Sequence, residues 1–98
     1  MHKVGCLADL RNGQGIEAVV EGSPVAVFEV EGSIVATRGK CPHAGGPLAE
    51  GTLDGVMLSC PWHGWSFDLQ TGVCTEDPDV VLPFYTVNVE GDDVFVSL

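Results

Sequence analysis

Short runs of apolar and β-branched residues, separated every few positions by glycine or proline, extend along the whole chain. Two pairs of runs indicate hairpins: 24–30 with 33–37 across Glu31-Gly32, and 85–89 with 94–97 across residues 90–93. Further runs occupy 2–8, 15–20, 56–60, 65–68 and 72–74. No segment carries the period of an amphipathic helix. The pattern therefore predicts an all-β fold built from antiparallel strands.

The chain length sets the scale of that fold. Ninety-eight residues, 45% of them hydrophobic, predict a single domain over 1–98. No apolar run approaches the roughly 18 residues of a membrane span, and the N-terminus lacks the apolar segment of a secretory signal. We expect a soluble, cytoplasmic protein.

Acidic side chains dominate the charge. Fourteen Asp and Glu residues against four Lys and Arg give a formal net charge of −10. Such a surface disfavours nucleic acid and anionic membranes as partners. It suits transient docking onto basic protein surfaces, although any single acidic residue is equally well explained as a solvated surface group.

Two loop segments carry the candidate chemistry. Cys41-Pro42-His43 and Cys60-Pro61-Trp62-His63 each offer one thiolate and one imidazole, with glycine and proline around them. Two thiolates and two imidazoles suit either a two-iron cluster with mixed ligands or a tetrahedral zinc site. Zinc fingers usually separate a Cys pair from a His pair on a helix, whereas each loop here mixes the two residue types. The spacing therefore favours the iron–sulfur interpretation over zinc.

The two loops also resemble those of the Rieske family. The segment CPHAGGPL at 41–48 is similar to that family's first cluster loop, CPWHGWSF at 60–67 to its second, and the turn at 68–72 to the turn that follows. The resemblance implies a Rieske-type antiparallel β-sandwich with a small rubredoxin-like cluster-binding subdomain at about 40–74. It also implies one [2Fe-2S] cluster per chain, with Cys41 and Cys60 on the inner iron and His43 and His63 on the outer iron.

Departures from the high-potential members of the family predict the redox behaviour. Those members carry a disulfide between the loops and hydroxyl donors to the cluster sulfurs, whereas the corresponding positions here are Gly46, Trp62, Trp65 and Phe67. Hydrogen bonds to sulfur stabilise the reduced cluster, so their absence predicts a potential near the low end of the roughly −150 to +300 mV Rieske range.

Residues outside the loops refine these expectations. The remaining cysteines, Cys6 and Cys74, are expected as buried free thiols. Trp62 is expected at an exposed tip, and Trp65 and Phe67 in the core or shielding the cluster. The loop at 75–83 is expected to cover part of the cluster.

The remaining residues limit which functions are possible. Apart from His43 and His63 the chain has only His2, so it lacks the residues for the mononuclear iron centre of Rieske oxygenases, and no nucleophile–base pair is evident. We therefore expect a monomeric electron carrier and not an enzyme, and the resemblance implies a ferredoxin between a flavoprotein reductase and a terminal aromatic ring-hydroxylating oxygenase. The loops also resemble the small subunit of assimilatory nitrite reductases, which would make the chain a fixed subunit.

Overall fold

Antiparallel strands make up most of the computed structural model, which describes residues 2–10, 15–41, 45–62 and 65–98. The described strands are β1 His2–Cys6, β2 Ile16–Val20, β3 Ser23–Val30, β4 Ser33–Arg38, β5 Thr52–Asp54, β6 Met57–Ser59, β7 Ser66–Asp68, β8 Phe84–Glu90 and β9 Asp93–Ser97. Two short 3-10 helices, Leu7–Leu10 and Leu48–Glu50, are the helical elements in these ranges. The predicted all-β, antiparallel fold class is confirmed.

Six strands form the larger sheet, in the order β1-β9-β8-β4-β3-β2. All of its pairings are antiparallel, and the two edge strands β1 and β2 contact each other, so the sheet curls round on itself. Curling covers the edges, which would otherwise present unpaired backbone groups. This sheet is the base on which the remaining strands sit.

The hairpin of β3 and β4 forms the centre of the base. Its two-residue turn has Glu31 at φ 49° and Gly32 at φ 84°, the left-handed conformations that a tight hairpin turn requires. Along β3 the side chains of Val25 and Val27 face one apolar cluster, and those of Ala26 and Phe28 face another. Successive residues of a strand point to opposite faces, so an uninterrupted apolar run is what a strand buried on both sides needs.

A three-stranded sheet, β5-β6-β7, forms the second part of the structure. In it Leu58 pairs with Leu53 on one side and with Phe67 on the other. The side chains of Leu58 and Phe67 are fully buried in the apolar cluster that also contains Phe28 of the base. The same cluster contains Cys41 and Cys60, so the core that joins the two sheets lies directly beneath the two loops of interest.

Three short segments differ from the sequence prediction. The run 2–8 ends as a strand at Cys6, because the chain turns into the 3-10 helix Leu7–Leu10. The run 72–74 forms isolated bridges to Phe67 and Val81 instead of a strand. Strand β5 was not predicted, since three residues are too few to show a period, although Asp54-Gly55 is a hairpin signal and Gly55 has φ 61°. Both predicted hairpins are confirmed.

We expect Phe67 to be a main contributor to stability, because its ring is fully buried at the junction of the two sheets. Phe67→Ala should lower the free energy of unfolding by about 3–5 kcal/mol, the usual cost of deleting a buried phenylalanine ring. The thermal midpoint of the holoprotein should then fall by about 12 °C or more. Val19→Ala is the matched control, since Val19 is 71% exposed and its loss should leave the midpoint nearly unchanged. Equal midpoints for the two variants would contradict this assignment.

Candidate metal centre

The first loop leaves the base after β4 and is closed by backbone hydrogen bonds. The N–H of Cys41 donates to the carbonyl of Gly46 at 2.8 Å, and the N–H of Gly45 donates to the carbonyl of Cys41 at 2.8 Å. Gly45 has φ 74°, a left-handed conformation that favours glycine. The 3-10 helix Leu48–Glu50 follows, tied to the base by a bond from Leu48 N–H to the Gly39 carbonyl. These bonds fix the position of Cys41.

The second loop connects β6 to β7 and closes in the same way. The N–H of Cys60 donates to the carbonyl of Trp65 at 2.7 Å, which repeats the bond from Cys41 to Gly46. In each loop a cysteine bonds to the carbonyl five residues later, so the two loops present their cysteines in equivalent settings. Because this bond lies beside the β6-β7 pairing of Ser59 with Ser66, the small sheet holds both ends of the second loop.

Gly46 brings the two loops together. A Cβ atom placed on Gly46 would lie 3.2 Å from the Cys60 sulfur and 3.0 Å from Cγ of Trp62. These are distances at which an added methyl group would have to displace a neighbour. The absence of a side chain at Gly46 therefore allows the first loop to pack on the sulfur of the second.

The thiols of Cys41 and Cys60 lie close enough together to interact beneath the loops. Both residues are almost fully buried, at 1% and 3% exposure, among apolar side chains that include Leu48 and Phe67. Burial raises the pKa of the Cys60 thiol; the backbone N–H of Trp62 donates to this sulfur and opposes the shift, and the neighbouring Cys41 thiol adds to it. Because burial disfavours the charged form of Cys60, a thiolate at this position is stabilised by a cation beside it, as metal coordination provides.

Of the four predicted ligands, the structure brings Cys41 and Cys60 together, while His43 and His63 lie outside the described residues. Within the described ranges, no group of three or more Cys, His, Asp or Glu side chains is placed to hold a metal ion. Cys74 is a buried free thiol as expected, whereas Cys6 is free but only half-buried. No disulfide links them.

The aromatic side chains around the second loop are distributed as the sequence predicted. Trp62 is 51% exposed at the tip, Phe67 is fully buried, and Trp65 is half-buried and packs against the core. Ser66 points away from Phe67 and is half-buried, and its hydroxyl lies 3.3 Å from that of Ser59.

The carboxylate of Glu76 is a feature that sequence reasoning missed. Its Oε1 accepts hydrogen bonds from the backbone N–H of Ser66 at 2.8 Å and from the Thr75 hydroxyl at 2.7 Å, and the Cys74 thiol lies 3.8 Å away. These donors hold the pKa of Glu76 below its usual value. In the sequence Glu76 is one of many acidic residues in a turn, and nothing in its spacing marks the contact with the second loop.

Comparison with known proteins shows which family has this arrangement. The family model described as the Rieske [2Fe-2S] domain matches residues 1–89. The ferredoxin component of the naphthalene 1,2-dioxygenase system of Pseudomonas aeruginosa is 34% identical over 93 residues, which cover 94% of this chain and 89% of that protein.

Solved structures agree with the family model. A chain in a complex of reduced oxygenase and oxidised ferredoxin in carbazole 1,9a-dioxygenase superposes with a TM-score of 0.84 at 35% identity, covering 97% of this chain and 99% of that chain. The putative NADH-dependent nitrite reductase small subunit of Mycobacterium tuberculosis superposes with a TM-score of 0.83 at 27% identity, covering 96% and 90%.

Fold, thiol pair and matches together define an iron–sulfur electron-transfer protein. The chain belongs to the Rieske [2Fe-2S] domain family, and its cofactor is a Rieske-type [2Fe-2S] cluster. It is a ferredoxin, similar to electron-transfer components of dioxygenase systems and not itself a catalytic subunit. The zinc alternative is thereby excluded. The buried contact of two thiols fits such a cluster, because sulfur ligands must lie within reach of the same iron.

We expect the contact of Cys41 with Cys60 to be detectable chemically in the cluster-free protein. Mild oxidation by diamide should join these two thiols in a disulfide, because they already lie close enough together to interact. Peptide mapping by mass spectrometry should identify the linked pair. Cys74→Ser should form the same disulfide and Cys60→Ser should not. A Cys6–Cys74 linkage as the main product would contradict the geometry.

Proposed function

We propose that Cys41, His43, Cys60 and His63 hold the cluster, the cysteines on the inner iron and the histidines on the outer iron. The burial of the two thiols supports this division, since they form the floor of the site against the apolar core. Each histidine follows its cysteine by two or three residues, so in this proposal the imidazoles come from the same two loops as the thiols. When bound, the cluster accepts and returns one electron, and imidazole ligands raise its potential above that of an all-thiolate cluster.

The chain forms one domain over 1–98 in this proposal, with a cluster-binding subdomain at about 40–74. The small sheet β5-β6-β7 falls inside these limits, and β1 to β4 with β8 and β9 lie outside them. The shared apolar core supports one folding unit in which the base and the subdomain depend on each other. The second loop connects β6 to β7, and its exposed Trp62 suits a site that partners approach from outside.

Its partners are a flavoprotein reductase that draws on NAD(P)H and a terminal ring-hydroxylating oxygenase, between which the chain carries single electrons as a cytoplasmic monomer. The net charge of −10 supports transient docking onto basic surfaces. Among the described residues one ion pair is formed, from Lys3 Nζ to Asp93 Oδ1 at 3.1 Å, so internal pairing leaves most acidic groups available to steer a partner. No helix in the described part of the chain is long and apolar enough to cross a membrane.

The exposed ring of Trp62 supports docking at the second loop. It lies two residues from Cys60 and is the most exposed aromatic side chain of the described residues. A large apolar ring beside the site provides contact area at low entropic cost, as aromatic residues do in many interfaces. A partner that covers Trp62 contacts the loop whose sequence contains Cys60 and His63.

The resemblance to nitrite reductase small subunits provides a competing function. In that case the chain would be a permanent subunit and would co-purify with a large sirohaem-containing polypeptide. Rapid reduction of the purified chain by a flavoprotein reductase, followed by reoxidation by a terminal oxygenase with its aromatic substrate, is the result that the proposal requires. Stable co-purification without such turnover would favour the alternative.

The ligand role of His63 is open to test by exchange of one imidazole for a thiolate. His63→Cys should retain a cluster but lower its midpoint potential, because the added negative charge disfavours reduction. His2→Cys is the matched control: His2 is exposed on β1 and the change should leave the potential unaltered. Protein-film voltammetry measures both, and the unmodified protein should lie near the low end of the roughly −150 to +300 mV range. An unaltered potential in His63→Cys would remove His63 from the ligand set.

The docking role of Trp62 predicts a kinetic defect. Trp62→Ala should slow electron transfer to the oxygenase at low protein concentration by about tenfold, the loss expected when an interface side chain worth roughly 1.4 kcal/mol is removed. Stopped-flow reoxidation of the reduced protein gives the rate constant. Val19→Ala removes a more exposed apolar side chain from the base and should have no effect. Equal rates for both variants would place the contact surface elsewhere.

A further inference from the structure

Residues 73–76 cover the outer edge of β7 with two backbone hydrogen bonds and one side-chain acceptor. Asp68 N–H donates to the Val73 carbonyl at 3.0 Å, and Thr75 N–H donates to the Ser66 carbonyl at 2.9 Å, as in an antiparallel ladder centred on Phe67 and Cys74. In a regular ladder the N–H of Ser66 would next donate to the carbonyl of Thr75. Here it donates to Oε1 of Glu76 at 2.8 Å. A side-chain carboxylate thus replaces a backbone carbonyl as the acceptor of the last hydrogen bond of the ladder, which we call the last rung.

The use of a carboxylate acceptor in place of a backbone carbonyl has two physical consequences. A carboxylate is a stronger acceptor than a neutral carbonyl, so the final rung is stronger than an ordinary one. Because the backbone after Thr75 is released from the ladder, the chain is free to turn away through Asp77 and Pro78. The Thr75 hydroxyl donates to the same oxygen at 2.7 Å and holds the carboxylate in place.

The rung lies next to the second cluster loop. Ser66 follows Trp65, and the carbonyl of Trp65 accepts the hydrogen bond from Cys60 N–H that closes the loop. A short series of contacts therefore leads from Glu76 through Ser66 and Trp65 to Cys60. Residues 61–64, which include His63, lie between the two ends that this series connects.

We propose that Glu76 is a positioning residue for the cluster: its carboxylate fixes the closing end of the second loop through the backbone of Ser66. The inference rests on the family assignment of the cofactor and is independent of which partners exchange electrons with the chain. Glu76 lies ten residues beyond Ser66 in the sequence and contributes no ligand. It acts on the ligands only through the loop that carries them.

Variants of the cluster-loaded protein separate positioning from charge. Glu76→Ala removes the acceptor, and Glu76→Gln keeps an oxygen acceptor but loses the charge. Asp79→Asn is the matched control, because Asp79 is exposed on the same loop and its change removes an equal charge. The readouts are the g values of the reduced cluster by EPR, the midpoint potential, and the hydrogen-exchange rate of the Ser66 amide.

Glu76→Ala is expected to change the g values and to speed Ser66 exchange at least tenfold, with a larger potential shift than Asp79→Asn produces. Glu76→Gln should restore g values toward those of the unmodified protein, with Ser66 exchange several-fold faster because its acceptor is neutral. If Glu76→Ala does not assemble a cluster, the hydrogen-exchange rate of the Ser66 amide in Glu76→Gln decides whether the proposal holds. The proposal is overturned if Glu76→Ala matches Asp79→Asn in EPR and potential, or if Ser66 exchange in Glu76→Gln equals that of the unmodified protein. Neither outcome involves the reductase or the oxygenase, so failure here is distinct from failure of the proposed electron-transfer partners.

Discussion

The contact between the buried thiols of Cys41 and Cys60 is the constraint around which the rest of the structure is arranged. The proposed site needs two sulfur ligands for one iron from segments separated along the chain, and burial disfavours the charged form of the Cys60 thiol. The two loops hold the cysteines in place with equivalent backbone hydrogen bonds, from the Cys41 N–H to the Gly46 carbonyl and from the Cys60 N–H to the Trp65 carbonyl. In the proposed site the cluster stabilises the charged thiolate, so folding and cluster binding would support each other.

The core beneath the loops explains why two sheets are needed. Strand β3 is buried on both faces and supplies Phe28 to the cluster that contains the cysteines, while β6 and β7 supply Leu58 and Phe67 from the other side. A domain of this length has a modest apolar core. Much of that core lies directly behind the thiols, which keeps water away from them and keeps their separation fixed. The base and the small sheet are therefore both parts of the site's support.

Sequence reasoning predicted the parts of this protein that have a strong local signal. Both hairpins were expected from apolar runs flanking a turn, and the Rieske family from the Cys and His spacing of the two loops. Strand β5 and the helix Leu7–Leu10 were not expected, since each is too short to show a period. The role of Glu76 was also not predictable, because its partner is a backbone N–H ten residues away and only the fold brings the two together. The close approach of Gly46 to Trp62 and Cys60 likewise depends on packing between loops.

The central claim is a mixed-ligand cluster held by two cysteines and two histidines. Pulsed EPR of the reduced protein, with and without 15N-labelled histidine, tests it most directly, because it detects nitrogen bound to the paramagnetic iron pair. We predict two strongly coupled nitrogens whose signals change on labelling, in both the unmodified protein and His2→Cys. A reduced cluster without strongly coupled nitrogen, or with a single one, would contradict the assignment of His43 and His63 as ligands.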